Sequence, residues 1–386
     1  MTGPILSVII PTKNRYLCLI AVIDVLKEYK SDEIEFILQD NSSDNTEFLK
    51  YFTTVSDNRF KYFYTKENLP IVDNSDKAIL NSVAPYVCFI GDDDLIVDNI
   101  VEIVKIMRVK DIECLIEEAV TFYWPDINFK YSNKSQKPGS FIITKRISDT
   151  LTRIDVKQQL KEVIDSCGTT IGKLPRIYHG IVKRSLIDKV YSHCGTYFPG
   201  PSPDMASSVA ISHFTDSCYH IHLPFTISGK SAISTSGMGV AHTHFGKLEN
   251  LDFLPKNIIE IWDNNIPQFW SCSTIWSQSL YSALKACNSS QKLPYRKLYS
   301  NLLVFEPTYI DITKAKIIEQ SAGRYIKKGF VYLDVLFVFV KRVLNYLKRK
   351  FISDSENETV LNVNSIAECY IKVNFMVKKT VSKFFQ

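Results

Sequence analysis

The chain has 386 residues, of which 45% are hydrophobic and 23% charged; this composition is typical of a globular protein and excludes a disordered chain. Its nine cysteines are odd in number and never spaced C-x-x-C, which argues against a zinc module and a secreted disulfide framework. The net charge of +5 comes from the C-terminal part, because residues 324–386 hold twelve basic and five acidic residues. No basic segment precedes the apolar run 5–10, so no signal peptide is predicted, and we expect a cytoplasmic protein without a nucleic-acid partner.

Strands and helices are predicted to alternate through the first third of the chain. Apolar strands are expected at 6–10, 34–38, 60–64 and 86–90, with helices over 16–29, from 46 and over 71–83. Such strands with helical crossovers predict an α/β fold, with a mostly parallel sheet covered by helices on both faces. Ligands of these sheets bind beyond the carboxyl ends of the strands, where the polar stretches 11–15, 40–46 and 91–94 are expected.

The rest of the chain is less regular. We expect a strand over 114–122, a loop over 124–140, helices over 153–165 and from 181, and further helices within 255–325. The Gly-, Ser- and Thr-rich residues 226–247 are typical of a mobile active-site loop. The predicted division is a catalytic domain over 1–245, a helical acceptor-side region over 246–325 and a basic amphipathic tail over 326–386.

The first polar stretch, Pro11 to Arg15, ends a predicted strand and opens a helix. Free backbone N–H groups and a basic side chain at that place suit a base, a ribose or a phosphate. An ordinary strand–helix turn capped by Thr12 or Asn14 explains the same residues.

The second stretch begins with Asp40, which ends an apolar strand and, if buried, needs a partner. The imino N–H of uracil or thymine is a suitable donor, whereas cytosine has none. Asp44 and Thr46, at the start of the next helix, are explained by helix capping.

The third stretch is Gly91-Asp92-Asp93-Asp94, which follows a fully apolar strand. Three consecutive carboxylates repel one another, and a divalent cation with a preference for hard oxygen ligands, Mg²⁺ or Mn²⁺, would remove that repulsion. Such a cation would also screen a diphosphate leaving group. The alternative is a solvated acidic turn that caps the next helix.

Together, S-V-I-I-P-T-K-N-R from Ser7, D-N-S-S-D-N-T from Asp40 and F-I-G-D-D-D-L from Phe89 resemble glycosyltransferase family 2, which has the GT-A fold. The resemblance is close over residues 5–100 and looser to about 240. Two positions depart from the family pattern: Gly91 stands where an aspartate is usual, and Pro70 replaces a glycine of an N-x-G-x-x-x-N stretch.

The resemblance implies two sets of site residues. A nucleotide-sugar site would consist of Pro11, Thr12, Asn14, Arg15, Asp40, Asn68, Asn74 and Asp92, with Arg15 near the base and Asp40 on uracil. Asp93 would be the principal ligand of Mn²⁺ or Mg²⁺, with Asp94 beside it.

An inverting transferase also needs a carboxylate that takes the proton from the acceptor hydroxyl. Asp204, after the Pro/Gly-rich residues 198–203, resembles the family's acidic acceptor-side motif in position, although a helix N-cap explains it as well. His242 and His244 could complete a metal shell or be ordinary surface histidines.

In the tail, the apolar residues 330–340 are too short to span a membrane but have basic flanks, as do the apolar residues within 366–386. Two readings remain open: helices that lie on an anionic membrane surface, or helices docked on the catalytic domain or on a second copy in a homo-oligomer. The polar residues 353–365 are expected to be a linker.

The sequence therefore predicts a metal-dependent, inverting transfer of a sugar from a UDP-sugar, or a dTDP-sugar, to a sugar hydroxyl. A lipid-linked glycan acceptor, as in surface-polysaccharide synthesis at the inner face of the membrane, follows from the family analogy and the tail. The alternative is a catalytically inactive GT-A module that binds a sugar nucleotide or a membrane partner.

Overall fold

A computed structural model describes residues 3–130, 136–322, 328–351 and 356–381. The first third alternates strands and helices as predicted: β1 (Leu6–Thr12), α1 (Tyr16–Leu26), β2 (Ile34–Asp40), α2 (Thr46–Phe52), β3 (Phe60–Tyr64), α3 (Ile71–Leu80), β4 (Tyr86–Phe89), β5 (Leu95–Ile96) and α4 (Ile100–Val109).

The middle of the chain continues this alternation: β6 (Cys114–Glu117), β7 (Val120–Tyr123), β8 (Ser140–Thr144), β9 (Leu151–Arg153), α5 (Val156–Asp165), β10 (Gly180–Lys183), α6 (Arg184–Cys194), α7 (Pro203–Ser212), β11 (Cys218–Ile221), β12 (Thr226–Lys230) and α8 (Thr235–Val240). Two expectations are wrong here. Residues 180–183 are a strand before the expected helix, and residues 226–247 contain β12 and α8 instead of only a loop.

The C-terminal third contains the short strands β13 (Phe245–Gly246) and β14 (Trp270–Ser271), and 3₁₀ turns at Leu248–Asn250 and Pro307–Tyr309. Its helices are α9 (Ile258–Ile261), α10 (Cys272–Ala286), α11 (Tyr295–Phe305), α12 (Ile310–Ala322) and α13 (Lys328–Phe351), followed by β15 (Asn357–Leu361) and α14 (Ile366–Val381).

An eight-stranded sheet in the order β3-β2-β1-β4-β10-β6-β11-β9 forms the centre of the fold. The first four of these strands are parallel, whereas β10 is antiparallel to both β4 and β6, so the sheet is more mixed than predicted. Helices cover both faces: Val8 and Ile10 of β1 belong to one core, and Ile9 to the other. This alternation confirms the predicted sheet buried on both sides.

A second sheet, in the order β15-β8-β7-β12-β5, begins directly after Asp94, because β5 follows that residue. Strand β12 pairs with β5 and with β7. Because of this pairing, the end of β12 lies at the carboxyl edge of the first sheet, beside the polar stretches.

The end of the chain belongs to the catalytic body. Strand β15 pairs with β8, which makes the expected linker wrong over 357–361. Helix α14 contributes a stripe to the main core, spaced at helical intervals: Ile366, Cys369, Val373 and Val377. Lys378 and Tyr370 also bond to Asp98. Of the two readings of the tail, docking on the catalytic domain is therefore correct for 357–377, whereas the predicted basic residues 382–386 lie outside the described residues.

Helix α13 lies on α11, to which it is tied by ion pairs of Asp334 with Arg296 and Lys297, both at 2.6 Å. Its other side exposes a row of large apolar side chains: Phe330, Leu333, Leu336, Phe337, Val340 and Leu344. Among the described residues, no helix has both the length and the apolar character needed to cross a membrane.

Candidate active site

The three polar stretches meet at the carboxyl edge of the first sheet. The Thr12 hydroxyl donates to Asp92 Oδ2 at 2.6 Å, which joins the first stretch to the third. The backbone N–H of Asn14 donates to Ser42 Oγ at 2.7 Å, which joins the first stretch to the second. The convergence expected from the strand order is therefore observed, and Thr12 lies inside it, with Pro11 beside it in β1.

The turn between β1 and α1 depends on Asn14, whose φ of 58° lies in the left-handed region that asparagine tolerates better than most residues. Its side-chain oxygen accepts a hydrogen bond from the N–H of Ser43 at 3.0 Å. Helix α1 has no side-chain cap at its N-terminus, so capping does not explain this stretch. The turn instead directs the next residue, Arg15, into the site.

Arg15 bridges two of the three aspartates. Its Nη1 lies 2.7 Å from Asp92 Oδ1 and its Nη2 lies 2.9 Å from Asp93 Oδ2, and Nη2 also donates to Ser231 Oγ at 2.8 Å. Burial opposes the charge of the guanidinium, but the two carboxylates outweigh it and raise the pKa of Arg15 above its usual value. Arg15 was expected beside the base, whereas it is the counter-ion of the acidic cluster Asp92–Asp94.

The acidic cluster is buried, with relative exposures of 1% for Asp92, 3% for Asp93 and 1% for Asp94, so the reading as a solvated acidic turn is wrong. Burial raises the pKa of Asp92 to about 7 and also raises that of Asp93. Burial acts in the same sense on Asp94, but His179 and two backbone N–H groups overcome it and lower its pKa.

Asp94 is held from three directions. The backbone N–H groups of Gly91 and Gly229 donate to it at 2.6 Å each, and His179 Nε2 lies 2.7 Å from its Oδ2. Asp93 is held through Oδ2, which accepts from the N–H and the hydroxyl of Ser231 at 3.0 and 2.7 Å. The other oxygen of Asp93, Oδ1, has no hydrogen bond within the part of the chain that the structure describes.

Gly91 is closely surrounded by oxygen atoms of the site. A Cβ at this position would stand 3.0 Å from Asp94 Oδ2, 3.0 Å from the Tyr178 hydroxyl and 3.1 Å from Asp93 Oδ1. These contacts are tighter than an ordinary Cβ contact, so a larger residue would require these atoms to shift. We call these three oxygen atoms the Gly91 cradle.

This cradle fits a small hard cation. Mg²⁺ and similar ions are commonly held by one or two carboxylates together with substrate phosphates, so a cage of three protein ligands is not required. Asp93 would hold the ion through Oδ1, with Asp94 beside it. Both oxygens of Asp94 already accept backbone hydrogen bonds, and Asp92 faces Thr12 and Arg15 at 2.6 and 2.7 Å.

The predicted histidine ligands are not brought into a metal group in the described part of the chain. His244 packs edge-on against Trp270, with ring centroids 3.8 Å apart, and burial lowers its pKa to about 4. His242, two residues before His244, lies in a turn and has a φ of 55°. Neither belongs to a group of three potential metal ligands among the described residues.

The residues predicted to bind the nucleotide differ in their availability. Both oxygens of the fully buried Asp40 are engaged, by the Tyr16 and Tyr62 hydroxyls at 2.7 Å and by the N–H of Ser42 at 2.8 Å. The carboxylate is therefore already satisfied by groups of the protein.

The two asparagines of the same prediction contrast with each other. Asn68 Oδ1 accepts a hydrogen bond from Lys13 Nζ at 2.6 Å. Asn74 is buried in α3, and its Oδ1 has no hydrogen-bond partner in the described residues. Buried polar atoms without a partner are rare, so Asn74 has an acceptor left for a ligand.

Asp204 lies in the first turn of α7, where Ser202 and not Asp204 is the N-cap residue. Its carboxylate accepts hydrogen bonds from the Ser202 hydroxyl and from the N–H of Met205 at 2.8 Å. The loop before it reaches the end of β4, because Phe198 packs on Phe89 with centroids 5.6 Å apart. The residues before Asp204 are thus packed at the end of β4.

Sequence reasoning missed the residues that hold the aspartates from the opposite side: His179, Gly229 and Ser231. Gly229 lies on β12, and Ser231 directly follows the end of that strand. A Cβ on Gly229 would meet the Asp93 carbonyl oxygen at 1.8 Å, so only glycine fits there. No sequence signal indicated that β12 would pair next to the acidic cluster.

The chain was compared with known protein families. Residues 7–147 match the model of glycosyl transferase family 2, which confirms the resemblance and the α/β fold that it implied. The matched residues contain the three polar stretches. A search of curated proteins found no match.

Solved structures of similar architecture include two glycosyltransferases. A fragment of TarS from S. aureus in complex with UDP-GlcNAc is 15% identical, with a TM-score of 0.41, and the match covers 58% of each chain. The mannosyltransferase PcManGT from Pyrobaculum calidifontis, in complex with GDP-Man and Mn²⁺, is 15% identical with a TM-score of 0.38, over 85% of this chain and 89% of that one. The chain thus spans less than two thirds of the first of these relatives.

Proposed function

We propose that this chain is an inverting glycosyltransferase that moves a sugar from a UDP-sugar to a sugar hydroxyl of a glycan, with dTDP-sugars as the alternative donors. The observation that supports this most is the convergence of the three polar stretches on the acidic cluster, in a domain of the matching family. A buried set of three carboxylates is costly unless it is used or neutralised. Such carboxylates would bind the cation that accompanies the diphosphate of the donor.

The diphosphate of the donor would lie at the Gly91 cradle. Mn²⁺ or Mg²⁺, held there by Asp93 and Asp94, would neutralise charge that develops on the leaving diphosphate. Arg15, which pairs with Asp92 and Asp93, would add positive charge beside the ion. Asn74, with its unpartnered Oδ1, would accept a hydrogen bond from the nucleoside.

Asp204 would take the proton from the acceptor hydroxyl. Its hydrogen bonds with Ser202 and Met205 fix the carboxylate at the start of α7, and the preceding loop packs at the end of β4. A positioned base of this kind typically contributes about 10² to 10⁴ to the rate.

The acceptor would be a lipid-linked glycan of surface-polysaccharide synthesis, met at an anionic membrane surface. The support is the apolar row on α13, which is exposed next to the basic Lys341 and Arg342. Apolar side chains flanked by basic residues are typical of helices that lie in the membrane interface.

Transfer and donor hydrolysis test the proposal. Wild-type protein with Mn²⁺ and a panel of sugar nucleotides should release UDP from one UDP-sugar, and Asp204→Asn should lose at least a hundredfold in turnover while still binding UDP. Asp155→Asn is a matched control, because Asp155 also starts a helix, where its side chain accepts from Gln158 N–H at 2.9 Å.

Two results would count against the proposal. A loss of less than tenfold in Asp204→Asn would remove the base from the mechanism. Binding of UDP without any release from the whole panel would favour the catalytically inactive module instead.

A further inference from the structure

A second group of metal-ligating side chains lies outside the acidic cluster. It consists of Glu118, His220 and His222, whose ligand atoms all lie within 4.8 Å of one another. Glu118 Oε1 is 3.9 Å from His220 Nε2 and 3.7 Å from His222 Nδ1. Within the described ranges it is the one group of three or more such residues.

Strand register brings these three residues together. Strands β6 and β11 are parallel, with His220 opposite Ile116 and Ile221 opposite Glu117, so the next step along both strands sets His222 beside Glu118. His220 and His222 are two residues apart and therefore point to the same face. Their ring centroids are 4.6 Å apart at an interplanar angle of 80°.

The distances fit a shared ion better than hydrogen bonds. Separations of 3.7 and 3.9 Å are too long for hydrogen bonds between nitrogen and oxygen. Two ligands of a tetrahedral Zn²⁺, each bound at about 2.0–2.2 Å, are about 3.3–3.6 Å apart. The two carboxylate–imidazole separations exceed that spacing by only a few tenths of an ångström, and the two imidazole nitrogens lie within 4.8 Å of each other.

The state of the two imidazoles is also that of ligands. His222 Nδ1 is buried and has no hydrogen-bond partner in the described residues. His220 is almost fully buried, with a relative exposure of 3%. A neutral imidazole with a free lone pair is the form that binds a metal.

We propose that Glu118, His220 and His222 bind Zn²⁺, with water or a small anion as the fourth ligand. Two imidazoles and one carboxylate are a donor set that zinc prefers, whereas Mg²⁺ and Mn²⁺ prefer the all-oxygen set of the acidic cluster. Lys173 and Arg176 contribute positive charge near His220, which opposes any cation at the site and favours an anion as the fourth ligand. The two metal sites are thus chemically distinct.

The zinc would stabilise the strand that holds the aspartates. It joins the ends of β6 and β11 directly before the turn into β12. Glu117, next to the site, already fixes the start of β12 by accepting hydrogen bonds from the N–H groups of Phe225 and Thr226. Three residues further along β12, Gly229 bonds to Asp94. Loss of zinc should therefore loosen the acidic cluster from that side.

Zinc binding by the tag-free full chain tests this inference. Chelator-stripped protein is titrated with Zn²⁺ in competition with a chromophoric chelator, and Co²⁺ is used as a visible-absorption probe of tetrahedral geometry. We expect one Zn²⁺ per chain. His220→Ala and His222→Ala should each lose more than the roughly 10–100-fold that outer-shell changes cost. Removing the exposed His193, as His193→Ala, should change nothing.

The proposed function and the zinc site can fail separately. Asp93→Asn should abolish transfer and leave zinc binding intact. The inference is overturned if no zinc binds at micromolar concentration, if His222→Ala binds as tightly as wild type, or if Asp93→Asn loses the zinc. Should His220→Ala fail to fold, Glu118→Gln and His222→Gln serve instead, because these side chains are 45% and 34% exposed.

Discussion

Arg15 is the sharpest test of how the acidic cluster works. The substitution Arg15→Gln removes the guanidinium that bridges Asp92 and Asp93 at 2.7 and 2.9 Å, and leaves the backbone turn at Asn14 unchanged. Without a divalent cation, the two buried carboxylates then lose their counter-ion. Breaking a buried ion pair from one side costs about 3–5 kcal/mol of stability.

The same substitution should strengthen cation binding. Arg15 Nη2 lies 2.9 Å from Asp93 Oδ2, so a cation about 2.1 Å from the other oxygen of that carboxylate would be within about 7 Å of the guanidinium. At an effective dielectric constant of about 20, a single and a double positive charge at that distance repel each other by about 5 kcal/mol. If rearrangement removes most of this, about 1.4 kcal/mol still corresponds to a tenfold change in affinity.

Mn²⁺ binding measured by electron paramagnetic resonance at pH 8 gives this affinity without any turnover. We expect Arg15→Gln to bind Mn²⁺ at least tenfold more tightly than wild type, and its thermal unfolding temperature to fall without Mn²⁺ and recover with it. Arg184→Gln is the control, since Arg184 bonds to the Ala84 carbonyl oxygen and Ser82 at 2.7 and 2.6 Å, away from the cluster.

An unchanged or weaker Mn²⁺ affinity in Arg15→Gln would refute this reasoning. It would mean that the cation does not bind next to Asp93, or that Arg15 leaves the carboxylates whenever a cation is present. Recovery of the unfolding temperature by Mn²⁺ in Arg184→Gln to the same degree would point to a general effect of the ion.

Three further outcomes are expected. Gly229→Ala should abolish transfer, because its Cβ would stand 1.8 Å from the Asp93 carbonyl oxygen; activity near wild type would contradict the close approach. Burial raises the pKa of Asp76 to about 6, so its contribution to stability is present below pH 4 and is lost as the pH rises through 6. Asp76→Asn should therefore raise the free energy of unfolding at pH 7.5 by up to about 3 kcal/mol and have little effect at pH 4, as measured by urea unfolding. The double substitution of Leu336 and Phe337 by Glu should reduce sedimentation of the protein with anionic vesicles several-fold, and equal sedimentation would exclude α13 as the membrane contact. Truncation before α13 is a poorer test, because it removes β15 and α14 from the fold.

Local patterns were enough to predict the first half of the sheet and the position of the site. Apolar runs followed by polar turns are local features, and parallel strands bring their carboxyl ends to one edge whatever the rest of the chain does. The polar stretches that contain Thr12, Asn14 and Asp92 were predicted to meet on this basis, and hydrogen bonds connect them.

Predictions that depended on long-range pairing were less successful. Residues 226–230 have the composition of a loop and became a strand because β5 and β7 offer backbone partners on both sides. Residues 357–361 have the polarity of a linker, yet they pair with β8. Backbone pairing is independent of side-chain polarity at edge positions, so composition could not reveal it.

The sequence by itself determined the α/β class, the family resemblance and the three turns, because each of these is carried by residues close together in the chain. Only the tertiary structure decided what the charges do. Whether Arg15 meets a base or an aspartate, and whether His222 stands next to Glu118, depends on contacts between residues about 80 to 100 positions apart. The free energy of such contacts depends on burial and register, which local sequence does not specify.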